Sequence, residues 1–130
     1  MTDLTSALAL SASGMKAQTT RLRLTSENIA NTDTPGYRRK TVSFHAELDR
    51  NTGAELVTTG KVRLDRGALE QIYQPGHPLA DDTGHYAGSN VDLIVEIADA
   101  RESQRTYEAN LKMFDQARQM SSSALQLLRR

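Results

Sequence analysis

His77, Asp81 and His85 fall within nine residues of one another, in and directly after the stretch Tyr73-Gln74-Pro75-Gly76-His77-Pro78-Leu79-Ala80-Asp81-Asp82-Thr83-Gly84. Two imidazoles and a carboxylate are donors that suit zinc, and the prolines and glycines fix the loop that carries them. Three loose donors without thiolates arise readily by chance, however. The segment is therefore read as a structural loop, and no metal or cofactor is expected. Arg38-Arg39-Lys40 is the other chemically distinctive group. In a neutral chain, a basic triplet reads as a solvated strand end or a donor of salt bridges to a neighbour rather than a nucleic-acid site. There is no Ser-His-Asp arrangement, P-loop, dinucleotide glycine motif or His-Glu-x-x-His. No catalytic residue is assigned.

Composition narrows the classes further. The 130 residues suit one domain. Sixteen basic and sixteen acidic residues cancel, which disfavours a polyanion as partner. With 5% aromatics and no Trp, any core is thin. The absence of cysteine removes disulfides, thiol catalysis and thiolate metal sites together. The N-terminal residues lack the basic and apolar regions of a cleavable signal peptide, and no apolar run approaches the roughly 18 residues of a membrane span. These rules alone predict a cytoplasmic protein.

The elements that would position such groups divide the chain into residues 1–35, 36–88 and 89–130. From Leu4 to about Asn31, Leu8, Met15, Leu22 and Ile29 recur every seven residues, one seam of a helix at coiled-coil spacing. The intervening seam positions are small or polar: Ser11 or Ala12, Gln18 or Thr19, Thr25 or Ser26. Gly14 weakens the helix by about 1 kcal/mol against Ala, and its benefit would be the close approach of another helix. Five or six apolar side chains, at about 1.5–3 kcal/mol each, fall short of ordering about 27 residues at about 1–2 kcal/mol each. The helix needs partners on more than one side.

The middle segment carries short β-like runs around Val42 and Phe44, Leu56-Val57, Val62 and Leu64, and Leu69 to Tyr73, broken at Asn51-Thr52-Gly53, Gly60 and Gly67. Residues 1–40 hold six basic and three acidic groups and residues 41–88 four and seven, a mild complementarity. Ser89-Asn90-Val91-Asp92 then reads as a capping box with Ser89 or Asn90 at the N-cap. The helix that follows, to about Leu128, carries Leu93, Ile97, Tyr107, Leu111 and Phe114 at helical spacing. Glu108 with Lys112 and Asp115 with Arg118 are expected pairs along it, and Arg129-Arg130 would suit the negative end of its dipole.

Between the first helix and the middle segment lies a joint. Pro35 forces the helix to end before Thr34, and Asn31 is a candidate left-handed cap. Thr34-Pro35-Gly36-Tyr37 has the form of a type II turn. The wording of this stretch, Ser26-Glu27-Asn28-Ile29-Ala30-Asn31 with Asp33-Thr34-Pro35-Gly36-Tyr37, preceded by Ser11-Ala12-Ser13-Gly14-Met15, closely resembles the N-terminal signature of bacterial flagellar rod and hook proteins. The Gly76-His77-Pro78 loop, Asn90-Val91-Asp92 and Arg105 with Tyr107-Glu108-Ala109-Asn110 resemble the proximal-rod branch of that family. Ser89 stands where that pattern has proline, and His85-Tyr86 where it has a Tyr-Val pair.

The resemblance implies a mainly α fold. The long N- and C-terminal helices would pair into a coiled-coil inner domain, with a small, irregular β-containing middle segment further out. It implies a non-enzymatic subunit of the basal-body rod that is exported uncleaved by the flagellar type III apparatus and assembles helically in the periplasm. Its partners would be copies of itself, the rod proteins FlgB, FlgF and FlgG, and the adaptor FliE between rod and membrane ring. Leu8, Met15, Leu22 and Ile29 would meet Leu93, Ile97, Tyr107, Leu111 and Phe114 within or between subunits, and Asn28, Asn31, Thr34, Pro35, Gly36 and Tyr37 would set the joint. The same stripes would serve a cytoplasmic helical adaptor or export chaperone, which is the alternative in another class. A metal enzyme built on His77, Asp81 and His85 is the remote one, and another rod or hook member of the same family is the one nearer to hand.

Overall fold

A computed structural model describes residues 2–129. Two long helices frame it, α1 (Thr2–Ala30) and α2 (Leu93–Leu128), with six short strands between: β1 (Lys40–Thr41), β2 (Phe44–Leu48), β3 (Glu55–Thr59), β4 (Arg63–Leu64), β5 (Gln71–Tyr73) and β6 (His85–Ala87). The mainly α architecture expected from the sequence is present. At 1.5 Å per residue, α2 is a rod of about 54 Å. No helix of the described residues is long and apolar enough to cross a membrane. Arg130 lies outside the described residues.

The helices run antiparallel, since Asn28 bonds Glu96 while Gly14 packs on Asn110. Their seam is not the apolar row. On α1 the buried positions are Ser11, Gly14, Ala17, Gln18, Leu24, Thr25 and Asn28; on α2 they are Glu96, Ser103 and Ala117, with Asn110 and Ala124 half-buried at the same seven-residue spacing. Leu8, Met15, Leu22 and Ile29 are half-buried beside this seam, as are Tyr107 and Phe114, whereas Leu93, Ile97 and Leu111 face outward. Small side chains win the seam because they let the backbones approach. A Cβ on Gly14 would lie 2.8 Å from Asn110 Nδ2. Gly14→Ala should be nearly neutral, as Asn110 can yield and helix propensity improves. Gly14→Leu should cost about 1–3 kcal/mol in thermal unfolding by forcing the helices apart, and an equal cost for both would count against the close approach.

The core is thin, as the composition implies: Ala17, Leu24, Ala54 and Ala117 are its fully buried apolar side chains among the described residues. Gln18 Oε1 and Ser103 Oγ are buried in the helix pair without a protein hydrogen-bond partner. Such groups each cost about 1–3 kcal/mol, so the pair is weakly bonded along its middle.

Strands β1 to β4 are two halves of one antiparallel ribbon. Lys40 faces Leu64 and Thr41 faces Arg63; then Phe44 faces Thr59, and pairing continues to Leu48 opposite Glu55. Between the halves Val42-Ser43 oppose Gly60-Lys61-Val62, so the register slips by one residue, as in a β-bulge. Val42 and Val62 therefore lie outside the strands. Gly53, at φ 70°, closes the far end of the ribbon. The ribbon lies along α1, where the Val57 amide donates to Ser13 Oγ at 3.0 Å and the Ser13 hydroxyl donates to the Leu10 carbonyl at 2.7 Å. Strands β5 and β6 form a separate hairpin.

Three local expectations are corrected. Asp92, not Ser89 or Asn90, is the N-cap of α2, its carboxylate accepting from the Ile94 amide at 3.1 Å. Ser89 and Asn90 are committed elsewhere: the Ser89 hydroxyl donates to the Thr32 carbonyl, and Asn90 Oδ1 accepts from the Arg39 amide. Asn31 is not left-handed, since no described residue other than glycine has positive φ. It caps α1 through its side chain instead, Nδ2 donating to the Glu27 carbonyl at 2.8 Å. Glu108 and Lys112, and Asp115 and Arg118, form no ion pairs and stay solvated on the exposed face of α2.

Candidate assembly joint and interface

The turn is built as its residue types require. Tyr37 N donates to the Thr34 carbonyl at 3.1 Å and Gly36 sits at φ 72°, the positive angle a type II turn demands. Thr34 Oγ1 donates to Asn31 Oδ1, tying the turn to the helix end. Gly36 N points at the carbonyls of Ala87 and Gly88, at 3.2 and 3.1 Å, so the turn is docked on β6. A Cβ at Gly36 would meet no atom within 4 Å. The cost of Gly36→Val, about 1–2 kcal/mol, is therefore conformational, and Gly36→Asn should cost less. Equal losses for the two in urea denaturation would show that something other than φ is responsible.

Tyr37 leaves this turn beside a buried polar hub centred on Asn28, which is 1% exposed. Asn28 Nδ2 donates to the Lys40 carbonyl at 2.9 Å and to Glu96 Oε2 at 3.2 Å, while Oδ1 accepts from the Lys40 amide at 2.9 Å and the Tyr37 hydroxyl at 2.8 Å. One amide side chain thus joins α1, the start of the ribbon, the turn and α2, with its full bonding capacity used. Burial, ahead of the neighbouring charges, raises the Tyr37 pKa and keeps the phenol a donor.

Glu96, also 1% exposed, is compensated from the other side by Arg39, whose Nε bonds Oε1. Arg39 Nη2 pairs with Asp99 Oδ2 at 3.0 Å, and Arg21 reaches the same carboxylate at 3.5 Å. Desolvation opposes the Arg39 charge, but the hydrogen bond and charge of Glu96, with Asp99 and Asp65, outweigh it and raise the pKa. Lys40 Nζ pairs with Glu27 at 3.1 Å. The basic triplet is thus a structural donor set: Arg39 and Lys40 pair with carboxylates, and Arg38 Nη1 bonds the carbonyls of Asp65 and Gly67. The sequence reading names Asn28 and Tyr37 as joint residues, but gives Glu96 and Asp99 no role and Asn90 only that of a helix cap. The available signal was the triplet itself, which calls for carboxylate partners elsewhere in the chain.

The Gly76-His77-Pro78 loop is self-contained. His77 stacks on Tyr86 with ring centroids 3.9 Å apart, and its Nδ1 accepts from the Leu79 amide. Asp81 Oδ1 accepts from the Thr83 hydroxyl, the Thr83 amide and the His85 amide. The Thr83 hydroxyl bond, followed by the His85 amide bond, lowers the Asp81 pKa. The imidazoles and the carboxylate are thus occupied in shaping the loop. Among the described residues no three His, Cys, Asp or Glu side chains are grouped to hold a metal ion.

What remains unpartnered is apolar. Leu93, Ile94, Val95, Ile97, Leu111, Met113, Met120, Leu125, Leu127 and Leu128 are all exposed along α2, Ile94 at 80% and Leu128 at 77%. Ile94, Ile97 and Ala98 line a shallow depression with Arg101, Glu102 and Arg105. Exposed apolar rows on this scale mark association surfaces.

Comparison with known proteins finds matches at both ends of the chain. Residues 8–38 match the family described as flagella basal body rod protein, and residues 82–127 match the flagellar basal body rod FlgEFG protein C-terminal family. The flagellar basal-body rod protein FlgC of Agrobacterium fabrum is 45% identical, covering 99% of this chain and 98% of its own length. FlgC of Aquifex aeolicus is 32% identical over 88% and 89%, and FlgC of Salmonella typhimurium 28% identical over 91% and 92%. The chain belongs to the FlgC family of flagellar basal-body rod proteins.

Proposed function

We propose that the chain acts mechanically, as a rod subunit whose two terminal helices bond to neighbouring copies while the polar hub holds the ribbon rigidly to them. The family is one of structural components of the basal body, not of enzymes. The observation that carries the mechanism is the mismatch between seam and stripe. The helix pair buries mainly small and polar residues along its seam, while most large apolar side chains of α2 stay exposed and Leu8, Met15, Leu22 and Ile29 of α1 are only half-buried. In a monomer that arrangement wastes the hydrophobic driving force. In a helical array of heterologous contacts each exposed row meets a neighbour, and stiff, multiply bonded helices can carry torque.

Leu8, Met15, Leu22 and Ile29 then meet Leu93, Ile97, Leu111, Tyr107 and Phe114 of neighbouring copies. The neighbouring rod subunits FlgB, FlgF and FlgG and the adaptor FliE are the remaining partners in this reading. Export by the flagellar type III apparatus delivers the chain to a periplasmic rod. An in-frame deletion should abolish swimming and rod recovery, complementation should restore both, and the chain should be found in purified basal bodies. Lost motility with the chain absent from basal bodies would replace this reading with that of an export chaperone or adaptor.

A further inference from the structure

Strand β4 has an unused edge beside uncompensated positive charge. It pairs with β1 alone. The Asp65 amide donates to the Arg39 carbonyl at 2.7 Å, and bonded and non-bonded pairs alternate along an antiparallel ladder. Lys40 and Leu64 are therefore the non-bonded pair, and their backbone groups point away from each other. Those of Lys40 turn to Asn28, whose side chain bonds both its amide and its carbonyl at 2.9 Å. Those of Leu64 turn to the open side, where neither has a partner among the described residues. Leu64 is 55% exposed and Val62, two residues along on the same face, 45%.

Arg38, Arg63 and Arg66 border an open hollow with Leu64. Arg63 and Arg66 make no ion pair among the described residues, and Arg38 bonds only the neutral carbonyls of Asp65 and Gly67. The turn that carries Arg66 is held in place: Asn90 Nδ2 donates to the same two carbonyls, at 3.0 and 3.3 Å, and the Gly67 amide donates to Asp65 Oδ1 at 2.7 Å. Asp65, the acid nearest these arginines in sequence, is thereby committed to its own turn. A fixed guanidinium without a carboxylate suits a bidentate partner. We propose that β4 takes up an extended segment of a different protein, alternately acidic and apolar, as an added strand. The segment's backbone bonds the Leu64 amide and carbonyl, its apolar side chains cover Val62 and Leu64, and its carboxylates meet Arg63 and Arg66. Like charges opposed across strands repel, so the same edge of a second copy is a poor occupant. The docking is separate from the helix rows and holds whatever those rows contact.

The probe is a short fluorescent peptide of alternating glutamate and valine, added to the purified full chain. Fluorescence anisotropy should report binding, and hydrogen exchange at the Leu64 amide should slow by about tenfold or more when the peptide is in excess. Arg63→Glu with Arg66→Glu should weaken binding by about tenfold or more while thermal unfolding stays unchanged, because both side chains are exposed. Leu64→Pro removes the outward amide without touching the ladder, since proline is tolerated where an edge N–H faces solvent. It should weaken binding more than Leu64→Ala, which loses the same apolar cover but keeps the amide. Equal affinities for the proline and alanine variants would show that no strand is added and overturn the proposal. So would equal protection of the Leu64 amide by inorganic polyphosphate, which offers charge but no backbone, and so would no binding of the peptide. Protection that rises with chain concentration in the absence of peptide would identify a second copy as the occupant and overturn the assignment to a different protein.

Discussion

Replacing Asn28 by alanine should lower the stability of the purified chain by about 3–5 kcal/mol, a large share of the 5–15 kcal/mol typical of a native protein. The deletion leaves four groups without their partner: the Lys40 amide and carbonyl, the Tyr37 hydroxyl and Glu96 Oε2. Each buried group left unsatisfied costs about 1–3 kcal/mol. Water reaching the half-buried Tyr37 and Lys40 recovers part of this, which sets the upper end of the range. Asn28→Asp should be worse, because it removes the Nδ2 donor and sets a second carboxylate against buried Glu96. Urea denaturation measures both. A loss below about 1 kcal/mol for the alanine variant would mean that the hub is not what joins the helices to the ribbon.

The same residue explains why some of this architecture could be read in advance. Pro35 and Gly36 act on their own backbone, and the turn they predict is the turn observed. Helix existence was equally local, since an uninterrupted apolar period is visible from either end of each helix. The seam was not visible. Leu8, Met15, Leu22 and Ile29 form the most conspicuous row, yet the face packed against α2 is Ser11, Gly14, Gln18, Thr25 and Asn28, chosen by how closely Asn110 and Glu96 approach. A hydrophobic period reports which residues avoid water, not which molecule they avoid it with. Glu96 and Asn90 escaped for a different reason. Their partners lie 68 and 51 residues away, and nothing near them in sequence records that distance. Ser89 and Asn90 fit a capping box locally, but the turn and the ribbon had a stronger claim on their side chains, and Asp92 took the cap.

The outward placement of the apolar row also sets the second large effect. Ile94→Glu with Ile97→Glu should abolish rod assembly and swimming while leaving the isolated chain as stable as before, within about 0.5 kcal/mol, because both side chains are already exposed in it. Burying an isoleucine fully is worth about 1.5–3 kcal/mol. Forfeiting two such burials, and desolvating two carboxylates instead, should weaken each contact by at least about 100-fold, since 1.4 kcal/mol is tenfold in affinity. The comparison between the two measurements carries the information. Ordinary core residues would destabilise monomer and assembly together, as Asn28→Ala should. Residues that face a neighbour should affect the assembly alone. Normal rods from the Ile94 and Ile97 double variant would show that α2 presents this row to solvent or to another component, and the helical-contact mechanism would then have to rest on Leu111, Met113 and the C-terminal turns of α2.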